Sequence, residues 1–320
     1  MASLKQIIKQ KFDYDVADLG AYVDEQRNEL LVRQVTEART LQLIKTQEGI
    51  KGSEKLKLLS DTLTYQTADC DMTDLGETKF SDRQITVEPI GYKKGFCNDD
   101  LVGFWTQLAL PAGAMAQNKE LPFEALITNY ILSLNALELD KLIWKGNKST
   151  GTGNMAFMNG FASFLTVANG CTNLNPSNAT AINASNAYDL FYDMFNSMNS
   201  AVAESPEKIA FCGRENFNYL VKNLVDLNFF HYSPADIASM TSVIIPGTDL
   251  TVEKVPGLNG DSRVFVGKRS AFTFGTDLAS DSSNFELWYS QDDDKLYIRS
   301  KFKAGVQVPF LNEIGVFVLD

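Results

Sequence analysis

Apolar residues along this chain keep different rhythms in successive stretches, and the changes of rhythm divide it. Residues 1–48 are polar and charge-mixed, with a helical spacing strongest from about Asp24 to Ile44 (Leu30, Leu31, Ala38, Leu41). Little apolar mass is available there for an independent core, so an extended or helical arm lying along something else is expected. Residues 49–97 change to the two-residue alternation of strands. Lys55–Ser60 and Thr62–Gln66 alternate weakly, the stretch from Ala68 to Glu77 is polar, and Arg83–Phe96 alternates again. That last alternation shifts phase at Pro89, from Ile85 and Val87 to Ile90 and Tyr92, and a proline within a strand pattern marks an edge or a bulge. Two long strands joined by a polar tip make a protruding hairpin. An isolated two-stranded hairpin is marginal in water, so this one is expected to lean on a neighbour.

Asn98-Asp-Asp100 caps a short expected helix from about Leu101 to Leu110, ended by Pro111-Ala-Gly113. The strongest helix pattern follows. Pro122 suits its first turn, and Phe123, Leu126, Ile127, Tyr130, Ile131, Leu134, Leu137, Lys141 and Leu142 are expected to share one face until Gly146 stops it. Some 24 residues at about 1.5 Å each predict a rod of about 36 Å. The middle, from about 155 to 275, alternates element types. A capped amphipathic helix is expected from Asn186 to Val202, with Leu190, Phe191, Met194, Phe195 and Met198 inward. Lys208–Cys212 reads as a strand leading through Gly213 into a helix carrying Phe217, Leu220, Val221 and Leu224. Four further strands are expected at 243–245, 251–255, 263–266 and 271–274, which together predict a compact α+β unit with helices on a sheet. Near the end, Phe285, Leu287 and Tyr289, then Leu296, Ile298 and Phe302, alternate about the turn Asp292-Asp293-Asp294. This predicts a long hairpin with one polar face. Val306 to Leu319 is apolar and expected to be buried.

Composition alters this picture little. The 320 residues are enough for one large domain or two intertwined ones, and 44% hydrophobic with 22% charged residues is ordinary for a globular protein. Charge says more. A formal net charge of −11 makes tight general binding of nucleic acid a poor expectation, because such affinity comes largely from Lys and Arg on phosphates. The first sixty residues carry 10 basic against 9 acidic side chains, so no dominant basic block exists there. Acidity favours solubility instead. Cys70, Cys97, Cys171 and Cys212 lie far apart with no CxxC pair, and His231 is the single histidine, so zinc and a disulfide framework are both disfavoured and free thiols expected. The N-terminal residues lack the pattern of a secretory signal, and no run of about eighteen apolar residues exists to span a membrane.

Catalytic chemistry finds little to stand on. Gly146-Asn-Lys-Ser-Thr-Gly-Thr-Gly153 lacks the Gly-Lys-Ser/Thr order of a phosphate loop and follows a helix rather than a strand, so a flexible turn is expected. Asp292, Asp293 and Asp294 could attract a hard cation, but without calcium-loop spacing they read as a turn. A triad would have to use His231, and no Gly-x-Ser-x-Gly elbow accompanies it. The expectation is a protein that is not an enzyme and takes no cofactor.

The order of these elements carries a resemblance. Polar arm, long hairpin, long helix, α+β unit, second long hairpin and apolar terminal strand resemble, from end to end, the Hong Kong 97 capsid fold of tailed-bacteriophage major capsid proteins. Leu137-Glu-Leu-Asp-Lys-Leu-Ile-Trp-Lys-Gly146 is similar to the end of that family's spine helix, Asn154–Phe161 to the start of its axial domain, and Tyr297–Val308 to its late peripheral strand. The resemblance implies an N-arm at 1–48, an extended loop at 49–97, and a peripheral domain at 98–153 and 280–304. It places the axial domain at 154–279, with 305–320 returning to it. It further implies identical subunits assembling into hexamers and pentamers of an icosahedral shell, built in the host bacterial cytoplasm and ending in the virion. Such a shell encloses double-stranded DNA loosely, without a membrane, with a portal as partner and scaffold or decoration proteins as further candidates. No N-terminal scaffolding region is visible, so a scaffold would be a separate protein or absent. Some relatives join a Lys to an Asn between subunits; Lys79, Lys93 and Lys94 lie in the loop, but nothing around them carries that chemistry. Candidate inter-subunit contacts are Lys79, Arg83, Lys93 and Lys94, as partners for acidic neighbours, with Asp292, Asp293 and Asp294. Charge reversal at Arg83 is expected to impair assembly. The rival readings are an encapsulin-like nanocompartment, separated by a cargo-enzyme gene beside it, a cytoplasmic α+β enzyme, separated by a small oligomeric size, and a bacterial surface protein, disfavoured by the lack of an export signal.

Overall fold

A computed structural model of the chain describes residues 38–60, 64–68, 79–97, 123–176, 180–227, 240–277, 285–293 and 295–318. Residues 24–37 of the expected arm helix, the tip at 69–77, the short helix at 101–110 and His231 lie outside these. Along the chain the strands are β1 (Lys45–Gln47), β2 (Ser53–Ser60), β3 (Lys79–Thr86), β4 (Glu88–Cys97), β5 (Thr172–Asn173), β6 (Lys208–Cys212), β7 (Ser242–Ile244), β8 (Thr251–Lys254), β9 (Val264–Lys268), β10 (Thr273–Thr276), β11 (Phe285–Ser290), β12 (Lys295–Gln307) and β13 (Gly315–Phe317). The helices are α1 (Phe123–Lys145), α2 (Phe161–Phe164), α3 (Ala187–Asn196), α4 (Ser200–Ala203) and α5 (Arg214–Asp226).

The first of two large sheets is built around β12. Its one edge pairs antiparallel with β11 over Lys295–Ser300 and then with β10 over Ala304–Gln307, and its other edge pairs with β4 from Lys295 to Ala304. β1 adds to β10 in parallel. Among the described residues β4 is thus an edge strand, where Pro89, lacking an N–H, removes nothing from the ladder's interior. The phase shift at Pro89 marks where the chain changes partners. Ile85 and Val87 pack with Ile50 beneath the hairpin, whereas Ile90 packs against the main core.

Among the described residues β2 and β3 pair only with each other, from Ser53↔Thr86 to Ser60↔Lys79. The strand expected at 62–66 does not form where it is described, since residues 64–66 have no regular structure.

The second sheet has six strands in the order β5-β13-β9-β6-β8-β7. All five residues of β6 are buried. Ile209 and Phe211 face one hydrophobic cluster, while Ala210 and Cys212 face the other, under α3 and α5. Burial on both faces explains why Lys208-Ile-Ala-Phe-Cys212 reads as a continuous apolar run. The single helix expected from Asn186 to Val202 is two helices. Asn199 leaves the helical region (ψ 133°) and its side-chain oxygen accepts the Ala201 N–H at 3.0 Å, so it caps α4 and ends the first run. Leu190, Phe191 and Met194 are buried as expected, and so are Phe217, Leu220 and Leu224 of α5.

Between the sheets lies Trp144, the penultimate residue of α1. Its ring centroid is 5.3 Å from Phe161, 5.2 Å from Phe211 and 5.3 Å from Phe265, with Phe272 at 6.1 Å. This aromatic cluster joins the long helix to both sheets. Burying such rings gives roughly 1.5–3 kcal/mol each, and favourable ring pairs add about 0.5–1.5 kcal/mol.

Candidate assembly surfaces

The long helix exposes part of the apolar face that the sequence pattern marks out. Ile131, Leu132, Ala136, Leu139 and Ile143 are buried, whereas Tyr130, Leu134 and Leu137 are 59%, 42% and 48% exposed. Tyr130, Leu134, Leu137 and Lys141 share a face that points away from the subunit core, whereas Ile131 and Leu142, expected on that same face, are buried. The reason is that apolar residues stand on two opposite faces of α1, at the same three- and four-residue spacing. Periodicity alone cannot rank two such stripes; burial within the subunit does. What remains is an apolar stripe along a helix of about 35 Å.

Among the described residues the contacts that hold the hairpin β2–β3 to the rest of the subunit lie at its base. Val87 N–H donates to the Gly52 carbonyl at 2.8 Å, Gln307 Nε2 to the Gln84 carbonyl at 2.8 Å, and Lys303 Nζ to the Lys51 carbonyl at 2.8 Å. Gly305 allows this approach, since a Cβ there would collide with the Thr86 carbonyl. Beyond the small cluster of Ile50, Ile85, Val87 and the half-buried Leu56, the described hairpin residues from 53 to 57 are otherwise exposed. This limb has too little core to support itself.

The sequence-derived candidates fall in different places. Arg83, on β3, donates from Nη1 to the Val308 carbonyl at 3.1 Å and so ties the hairpin base to the end of β12. Lys79 starts β3 opposite Ser60. Lys93 and Lys94 are exposed on the edge strand β4. Lys93 Nζ lies 3.9 Å from the Tyr297 ring centroid and 5.2 Å from that of Trp288, and the two rings are themselves 5.5 Å apart. The pleat puts Lys93, Lys295, Tyr297, Arg299 and Lys301 on one outward face of the first sheet, with Glu286 paired to Arg299. A locally basic, aromatic face therefore sits on a chain whose net charge is −11. Asp292 and Asp293 occupy the turn after β11, where Asp293 accepts the Tyr297 hydroxyl at 2.9 Å; Asp294 lies outside the described residues. The structure brings Lys93 and Asp293 together around Tyr297, and leaves Arg83 apart from them.

Sequence reasoning missed one junction altogether. The Asp140 carboxylate, on α1, accepts the Thr40 N–H at 2.9 Å and the Gly257 N–H at 2.7 Å, and Trp144 Nε1 donates to Thr40 Oγ1 at 2.8 Å. Arg39 next door donates to the buried Glu253 at 2.7 Å. Arm base, long helix and α+β unit are thereby clipped at one buried point. Burial pushes the Asp140 pKa up, against the two N–H donors and Arg39, which favour its charge. Its partners are 100 residues before it and 117 after it, so no local spacing signals them.

Among the described residues no group of three His, Cys, Asp or Glu could hold a metal ion, and no helix is long and apolar enough to cross a membrane. Cys97, Cys171 and Cys212 are free, and burial pushes the Cys171 thiol up to about 11, which makes it unreactive near neutrality.

No protein-family model matches the chain, and no curated protein matches it. Solved structures do. A chain of the satellite phage P4 procapsid superposes with a TM-score of 0.60 at 12% identity, over 90% of this chain and 89% of that one. The capsid of a native GTA particle gives 0.56 at 12% identity, over 88% and 89%, and that of the Myoviridae phage XM1 gives 0.53 at 14%, over 86% and 89%. Each superposition covers 86% or more of both chains at a TM-score above 0.5, so the chain has the Hong Kong 97-like capsid fold.

Proposed function

We propose that this protein is the structural subunit of an icosahedral phage head. Identical copies would associate as hexamers and pentamers and close around double-stranded DNA. The observation that carries this reading is the hairpin: a two-stranded limb anchored at its base and without a core of its own needs a second surface to rest on. The exposed stripe of Tyr130, Leu134 and Leu137 offers the complementary need, an apolar surface seeking cover. Likeness to the procapsid and capsid chains supports it. Within this reading the arm, extended loop, peripheral domain and axial domain keep the boundaries expected from sequence, and the role is structural rather than enzymatic.

Chemistry suits a container. An acidic wall would repel packaged DNA weakly and leave it mobile, while Lys93, Arg299 and Lys301 would meet acidic surfaces of neighbouring copies. Assembly in the host cytoplasm, closure on a portal and help from a scaffold belong to the same proposal. Negative-stain microscopy of the purified, expressed chain tests it. Rings or closed shells are expected. A compact monomer with the hairpin folded on itself would sink the reading.

A further inference from the structure

A groove of about 370 Å3 runs between β4 and α1, with Ile90, Ile131, Leu134, Leu139, Phe157 and Phe302 among its walls. Sites for small molecules have this size and a mostly apolar lining, with a few polar groups that orient the occupant. The pleat decides which side chains of β4 enter it. Ile90, Tyr92 and Lys94 stand opposite the buried Phe302, Ser300 and Ile298 and share their face, toward α1. Lys93 points to the other face, over the Tyr297 ring.

The polar groups that enter the groove are donors in want of an acceptor. Asn135 Nδ2 is buried and has no hydrogen-bond partner. The Tyr92 hydroxyl is buried too, and that burial pushes its pKa up to about 12, so it keeps its proton at neutral pH. Lys94 stands exposed at the rim, and no ion pair engages it among the described residues. The carboxylate in the wall, Glu138, is already satisfied, since it accepts Lys141 Nζ at 2.7 Å and Asn154 Nδ2 at 3.0 Å. A buried donor left without an acceptor costs the protein stability, and an anionic acceptor relieves that cost best, because charge-assisted hydrogen bonds are the stronger ones. At roughly 30 Å3 per water-sized group, the space admits about a dozen non-hydrogen atoms.

We infer that the groove binds a small apolar carboxylic acid. Its carboxylate accepts from Asn135 Nδ2 and the Tyr92 hydroxyl beside the Lys94 ammonium, and its hydrocarbon tail lies on Ile131, Leu134 and Phe157. The site belongs to the single subunit and does not depend on the shell.

Decanoate, kept below its micelle concentration, is the probe, titrated into the unassembled full chain and followed by calorimetry and by NMR of the isotope-labelled ligand. Saturable binding at one site per chain is expected, with Overhauser contacts from the tail to the methyls of Ile131 and Leu134. Decanol, of the same length but without the charge, should bind about tenfold more weakly. Lys94→Ala and Asn135→Leu should each weaken decanoate several-fold at unchanged thermal melting. Asn135→Asp, nearly the same size but bringing a like charge, should abolish binding, so the reading survives even where Asn135→Leu disturbs the fold. Leu137→Asp, on the exposed stripe but outside the groove, should leave the affinity unchanged. No saturation, equal affinity for decanol, or indifference to both Asn135 variants would overturn the inference. Loss of binding on Leu137→Asp would overturn it as well, since the acid would then be adsorbing on the exposed stripe. None of these failures touches the shell reading, which stands or falls on particle formation.

Discussion

Asp140 joins three parts of the molecule through two backbone donors, Thr40 and Gly257. Removing the acceptor leaves both N–H groups buried and unsatisfied. Asp140→Ala should therefore destabilise the unassembled subunit by about 1–3 kcal/mol, read from chemical denaturation. The same site has a defined pH dependence. Because burial raises its pKa above the ordinary 3.8, the native state binds the Asp140 proton more tightly than the unfolded chain does. Its contribution is complete below the ordinary value and is lost as pH rises through the native one. The stability difference between wild type and Asp140→Asn should accordingly shrink as pH is raised from about 4; a difference that grows would contradict this assignment. Gly257 is bound up in the same clip, since a Cβ there would collide with the Asp140 carbonyl and the Trp144 ring. Gly257→Ala should lower stability as well, without an effect on pH dependence. Arg83→Glu removes the donor to Val308, so it should loosen the hairpin base as well as lower particle yield, measured by sedimentation of assembled against unassembled protein.

At the scale of elements, the two faces of α1 make opposite predictions. Ile143→Ala, on the buried face, should cost the subunit about 2–5 kcal/mol by opening a cavity in the main hydrophobic cluster. Leu134→Ser with Leu137→Ser should leave thermal melting of the subunit within a degree or two and still depress particle formation, because those side chains meet solvent in the single chain. Equal melting losses from both variants would mean that the exposed stripe is core after all. The hairpin behaves likewise. Replacing residues 61–78 by a tight Gly-Gly turn removes no described residue of either main hydrophobic cluster, and the subunit is expected to fold while closed particles fail to form. Electron microscopy alongside circular dichroism checks both halves of that expectation.

For the whole molecule, the distribution of charge sets the response to salt. The basic outward face of the first sheet meets acidic partners in the proposed assembly, and exposed charges are screened beyond about 8 Å at physiological ionic strength. Particles should lose stability as salt rises to about 1 M, with Lys93→Glu and Lys301→Glu shifting the transition to lower salt. Light scattering during a salt titration measures it. A salt-indifferent particle would place its subunit contacts in the apolar stripe and hairpin alone.

Much of the architecture could be read along the chain. The strands of the α+β unit, the long helix, the return at Asp292 and the order of elements follow local rhythms of two or about 3.6 residues, except that the strand expected at 271–274 forms as β10 and joins the first sheet, on β1 and β12, rather than the α+β unit. The candidate contacts were legible only as residue types: Lys93 was visible as a lysine in a loop, not as a cation over Tyr297 and Trp288. The tertiary structure decided three matters of partnership. It chose which of two apolar faces of α1 is covered, it handed the strand at Pro89 from the hairpin to β12, and it brought Thr40, Asp140 and Gly257 to one point. Each depends on contacts between residues dozens to hundreds of positions apart. A one-dimensional pattern states what each segment needs to bury, but the fold determines what it is buried against.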